Sequence, residues 1–172
     1  RRTREQVAAI VDATGTAAIR SELSEALSEF STEVVLRISY FEEDSEYIRQ
    51  LMREAYLSNP ASALDFPDAQ IAMYPETGQR RIVEVVLTYH QPRQTLESRR
   101  NSLLREVNRL LTQVDDTTGE PVLTQLIRLL QQACIYQEGS GSTAYHALLE
   151  GEADSQGMAL ALSLLCQRAQ VP

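Results

Sequence analysis

Lysine is absent from this chain. All 16 basic residues are arginine, set against 24 acidic ones, for a formal net charge of −8 at pH 7 and an isoelectric point near 4.8. A surface of that sign repels phosphate backbones, which argues against sequence-independent nucleic-acid binding. The all-arginine usage reads as genomic composition or surface preference, not as function. No run of about 18 apolar residues occurs, so nothing is expected to span a membrane. Cysteine is scarce as well. Cys134 and Cys166 are the whole supply, too few for a disulfide framework, and both fall in apolar helical patterns as buried free thiols. The two histidines, His90 and His146, have no Cys-x-x-Cys pair beside them, so neither a metal site nor a cofactor is expected. His90 closes a strand with no partner cluster. Glu42, Glu43 and Asp44 form an acidic turn without calcium-loop spacing and read as a solvated loop. Internal repeats and low-complexity segments are missing too.

What is present is an ordinary globular composition. The 172 residues are 43% hydrophobic, enough to bury a core in one domain or two small ones. Residues 3–28 read as helix with a weak point at Thr14-Gly15-Thr16. Ile19, Leu23, Leu27 and Phe30 share a face of its second part. Glu33–Tyr40, rich in β-branched and aromatic residues, reads as a strand, and Ser45–Leu57 as an amphipathic helix ended by Asn59-Pro60. Ala69–Tyr74 and Arg80–Tyr89 pair as a hairpin through a connection containing Gly78. These pieces predict a small N-terminal α/β module, residues 1–92, with a three-stranded antiparallel sheet. Gln94–Gln113 reads as a long polar helix connecting to the rest (residues 93–118), with Leu96, Leu103, Leu104, Val107, Leu110 and Leu111 as its apolar stripe. Arginines Arg99, Arg100, Arg105 and Arg109 form a solvated face paired with local glutamates. Val122–Cys134 is a further helix with Pro121 at its start. A flexible loop over Tyr136–Ser142 and a short helix over Thr143–Leu149 follow. The fold class is α+β.

The C-terminal stretch organises the chain. From Met158 to Ala169 only Ser163, Gln167 and Arg168 are polar, so the helix is expected to be buried on nearly all sides. Asp154 and Ser155 cap its start. A buried helix with its positive dipole end at an accessible loop suits an activated nucleophile. Thr143-Ala-Tyr145, Leu148-Leu149-Glu150-Gly151, Ser155-Gln-Gly157-Met-Ala159 and the exit Ala169-Gln-Val-Pro172 together resemble the bacterial transglutaminase-like superfamily, over about fifty residues. The resemblance implies that residues 119–172 are the helical N-terminal part of a papain-like transglutaminase core. Tyr145, Gly151 and Gly157 would be its motif-supporting positions. It also puts Ser155 where the family carries its nucleophilic cysteine, and Met158 where the family carries a tyrosine. The family's His and Asp strands lie beyond Pro172, so the core is expected to be truncated here.

Ala153-Asp-Ser155-Gln-Gly157 also fits a loose A-x-S-x-G nucleophile elbow. That motif needs a preceding strand and later His and Asp residues. A helix and loop come before it and no histidine follows, so Ser155 reads as an inert capping serine. His146 reads as a surface or half-buried histidine. The expectation is a non-catalytic transglutaminase-like protein that binds protein or peptide at the cell surface. Its alternative is a truncated or inactivated piece of a thiol-dependent peptidase or acyl-transfer enzyme. No signal peptide is visible, and the Arg1-Arg2 start reads as trimmed, so an extracellular or cell-envelope site with the export signal removed is expected. An apolar face left open on the core helix would favour self-association.

Overall fold

The computed structural model describes residues 9–172. The fold is α+β, and the chain divides into two compact units, Arg1–Pro92 and Arg93–Pro172.

In the first unit, strand β1 (Ile10–Thr14) leads through Gly15 into helix α1 (Thr16–Ser28), which returns the chain to β2 (Glu33–Ser39). Helix α2 (Ser45–Leu57) and the hairpin β3 (Asp68–Tyr74) and β4 (Arg80–Thr88) complete it. The sheet order is β1-β2-β4-β3. β1 lies parallel to β2, and the other two pairs are antiparallel. Two sequence expectations are corrected here. The sheet has four strands and is mixed, not three and antiparallel. Residues 10–14 are strand, not the first half of a helix; residues 3–8 of that expected helix lie outside the described residues. The break comes at Gly15, whose φ of 86° is left-handed and open to a residue without Cβ.

One face of the sheet is dry. Leu36 and Ile38 of β2 and Val83, Val85 and Leu87 of β4 are buried, together with Ile19 and Leu23 of α1 and Ile48, Leu51 and Met52 of α2. Each such side chain contributes roughly 1.5–3 kcal/mol by leaving water. Their neighbours along β4, Ile82, Glu84 and Val86, point to the other face and remain half-buried, the alternation expected of a sheet covered on one side. Asp44 caps α2 by accepting the Tyr47 N–H at 3.1 Å.

After β4 the chain is tied down by Asp65. Its carboxylate accepts the main-chain N–H of His90 at 2.7 Å and of Gln91 at 3.0 Å, and lies 2.6 Å from His90 Nδ1. Asp68 approaches Nε2 at 3.3 Å. His90 therefore does have a partner cluster, contrary to the expectation from sequence. Tertiary folding brings in Asp65, a residue from the linker before β3 that no local pattern connects to it. The hydrogen bond to Asp65, then its charge, raises the imidazole pKa above 6.5. A folded-state pKa above the unfolded one gives stability that is complete below about pH 6.5 and is lost as pH rises through the folded value. Stability of the parent should thus fall as pH rises from about 6.5 toward the shifted value, and a His90→Gln chain should lose that slope. Urea melts at a series of pH values measure it; identical slopes would remove Asp65–His90 as the cause.

The second unit consists of α3 (Arg93–Leu111), α4 (Val122–Ala133), β5 (Ile135–Tyr136), a π-helical turn (His146–Glu150), β6 (Glu152–Ala153) and α5 (Ser155–Arg168). Helix α3 belongs to this unit, burying Leu96, Leu103, Val107 and Leu110. The loop between α3 and α4 is stapled by the buried Gln125. Its carbonyl accepts Asp115 N–H at 2.8 Å, and its amide donates to Asp115 O and Glu120 O at 2.7 and 3.1 Å. β5 and β6 form a two-stranded parallel pair.

Helix α5 is buried on one face, not on nearly all sides. Gly157, Leu160, Ala161, Leu164 and Leu165 are inside, whereas Met158 and Leu162, expected in the core, are half-buried. Ile127 of α4 is 37% exposed.

Candidate functional site

Of the residues singled out by sequence, His146 and Gly157 come together where the 137–143 loop crosses the start of α5. Two glycines permit the crossing, and a third ends the turn before it. Gly157 has no room for a side chain. A Cβ there would stand 2.8 Å from that of Ala153 and 3.0 Å from the carbonyl oxygens of Gly141 and Thr143. Gly141 has φ 143°, and an added Cβ would overlap the His146 ring. Gly151 ends the π-helical turn in the left-handed conformation, φ 79°.

Asp154 ties the crossing together. Its N–H donates to Gly141 O at 2.9 Å. Its side chain caps α5 by accepting Gly157 N–H at 2.9 Å and also accepts the Ser142 hydroxyl in a short hydrogen bond. Burial opposes its ionisation, but the Ser142, Gly157 and Gln156 hydrogen bonds and the nearby imidazole outweigh that and hold the carboxyl below the usual range. The positive end of the α5 dipole is thus already answered by a fixed carboxylate.

His146 is half-buried and turned inward. Its Nδ1 lies 2.6 Å from Thr143 Oγ1, the oxygen that also accepts the His146 N–H at 3.0 Å. Nε2 is 3.8 Å from Glu150. Tyr145, on the same turn, lies under the guanidinium of Arg99 from α3, 5.0 Å from its ring centroid, an arrangement worth about 0.5–1 kcal/mol. Tyr145 and Gly151 therefore support the turn, and Gly157 the crossing. Ser155 stands apart from both. It is exposed, and among the described residues its hydroxyl makes no hydrogen bond.

This geometry makes Ser155 an open position at a helix start, with two thiols in the same unit: Cys134 is buried as expected, whereas Cys166 is only half-buried. Burial pushes the Cys134 and Cys166 thiols up. A Ser155→Cys chain should therefore be alkylated at position 155 faster than at either native cysteine, although Asp154 and Glu152 beside it disfavour the thiolate. Iodoacetamide labelling with peptide mass spectrometry reads this, and slower labelling at 155 would contradict the exposed placement.

Sequence reasoning gave Thr143 no role of its own and passed over the β5–β6 pair. Thr143 is buried and orients the imidazole, but a threonine before Ala-Tyr-His carries no signal for that. Ile135-Tyr136 has strand-like composition yet only two residues, too few for a period. Among the described residues, no group of acidic, histidine or cysteine side chains could hold a metal ion, and no helix is long and apolar enough to cross a membrane. No family model, curated protein or solved structure matches the chain.

Proposed function

We propose that the chain is a transglutaminase-like protein that works by binding a protein or peptide, not by catalysis at Ser155. The observation that carries this reading is the isolation of the Ser155 hydroxyl at the start of α5. A serine hydroxyl ionises far above neutral pH and becomes a nucleophile only with a base beside it. The imidazole in the same region is held by Thr143 through Nδ1, and the adjacent carboxylate is committed to Ser142 and Gly157. The resemblance to the family gains support from the order of the parts: a short helical turn, a left-handed glycine, a capping residue, a helix start at position 155 and a glycine in the first turn where α5 meets the loop.

Pure protein is expected to show no turnover of a glutamine donor, a peptide ester or a peptide amide. Turnover that disappears in Ser155→Ala would overturn the reading. Turnover that survives the substitution would move any active centre away from α5.

A further inference from the structure

The sheet of the first unit ends on β3, and over Ala69–Tyr74 this edge lacks the bulge, the strand charges and the proline that ordinarily keep sheet edges from pairing. Its register against β4 runs without a bulge from Asp68 opposite Thr88 to Tyr74 opposite Ile82. From Ala69 to Tyr74 it contains neither a charged residue nor a proline. The direction of its free main-chain groups follows from β4. Leu87 donates its N–H to Thr32 O, on the β2 side, at 2.8 Å. In an antiparallel ladder alternate residues share a direction, so Leu87, Val85 and Val83 face β2. Their opposites on β3, Ala69, Ile71 and Met73, then point their N–H and C=O groups outward. Arg49 of α2 donates to the outward Ala69 O at 2.9 Å, as this requires.

Two open cavities flank the edge, between β3 and α2. One, about 260 Å³, is bounded by Arg49, Met52, Arg53 and Ala69. The other, about 600 Å³, is bounded by Asp44, Ile71, Met73 and Glu76. The Ala69 end of the groove thus carries Arg49 and Arg53, with Asp68 beside them turned to His90 Nε2 at 3.3 Å, and the Met73 end carries Asp44 and Glu76, with Arg81 beside them bound to main-chain carbonyls. Among the described residues Arg53 has no ion-pair partner, and neither does the side chain of Glu76.

We propose that β3 is the contact through which two copies of this chain pair, antiparallel about a two-fold axis at Ile71. The polarity of the groove selects that occupant. An antiparallel two-fold sets Ala69 of one copy opposite Met73 of the other, so each arginine end meets an acidic end, twice over, from a single self-complementary surface. Directly opposed residues share a face, which puts both copies' Ala69, Ile71 and Met73 on the α2 side and fills the two cavities. The outward N–H and C=O groups of Ile71 bond to their own counterparts.

Sedimentation equilibrium of the full chain tests this. The parent should have twice the 19.3 kDa chain mass. Arg53→Glu and Glu76→Arg should each weaken the dimer by about tenfold or more, since symmetry spoils two pairs at once. The Arg53→Glu, Glu76→Arg double variant should regain parental affinity, because the ends are again complementary. Ile71→Pro removes only an outward N–H from the backbone and should leave monomer with retained circular dichroism. A monomeric parent, a dimer indifferent to Ile71→Pro, or a charge swap that does not restore pairing would overturn the proposal. So would a foreign extended peptide taken up on β3 by a chain that stays monomeric.

Discussion

Leu165→Ala is expected to lower the stability of the second unit by about 2–5 kcal/mol, the cost of deleting a fully enclosed leucine and leaving a cavity, and Leu162→Ala by much less. Leu165 is 0% exposed on a helix that meets α4, α3 and the π-helical turn, so three elements would have to collapse together to fill the hole. Leu162, three residues earlier on the helix, is half-buried, and its truncation leaves a space that water can enter. Denaturant melts combined with amide exchange in α4 and α5 separate the two. Equal, small losses would mean that the face made by Leu160, Ala161, Leu164 and Leu165 is not the core of the unit.

The contrast between those two leucines also explains how far the sequence could be read. The existence, ends and cap of α5 follow from its composition, since Asp154 and an apolar run are local signals. Its buried face does not. Met158, Leu162 and Leu165 are large apolar residues spaced along one side, and size alone favours them. The actual stripe is Gly157, Leu160, Ala161, Leu164 and Leu165, about one residue further round. Gly157 lies in it because the loop comes too close for anything larger, a fact of tertiary packing that a hydrophobicity pattern weighs in the wrong direction. The same limit hid β1. Five residues beside a helix-forming stretch have little period of their own, and what makes them a strand is parallel pairing with β2 across the whole of α1. The hairpin and α2 were legible because turn, cap and alternation are all contained in the segments themselves. At the candidate site, Gly151 and Gly157 were named only through the family resemblance, and the inward turn of His146 depends on Thr143 and Gly141, which no local pattern shows.

Arg81→Leu is expected to cost about 2–4 kcal/mol, because it strands several carbonyl groups at once. Arg81 lies on the dry face of β4, in line with Val83, Val85 and Leu87, and is only 5% exposed. Its guanidinium donates to Glu43 O at 2.7 Å, Glu76 O at 2.6 Å, Pro75 O at 3.3 Å and Phe41 O at 3.4 Å. It also lies 5.9 Å from the centroid of the Phe41 ring. Two turns, the one before α2 and the one between β3 and β4, are thus held by one planar group, and among the described residues no carboxylate pairs with it. Main-chain dipoles stabilise the buried charge in place of an anion. Lysine keeps the charge but has a single nitrogen in place of the fork, so Arg81→Lys should recover only part of the loss. Thermal and urea melts of the three chains order the outcomes: parent above Lys above Leu. A Leu variant as stable as the parent would show that the turns hold themselves and that the guanidinium only fills space. In that event the acidic end of the β3 groove, which rests on the position of Glu76, would also not depend on Arg81.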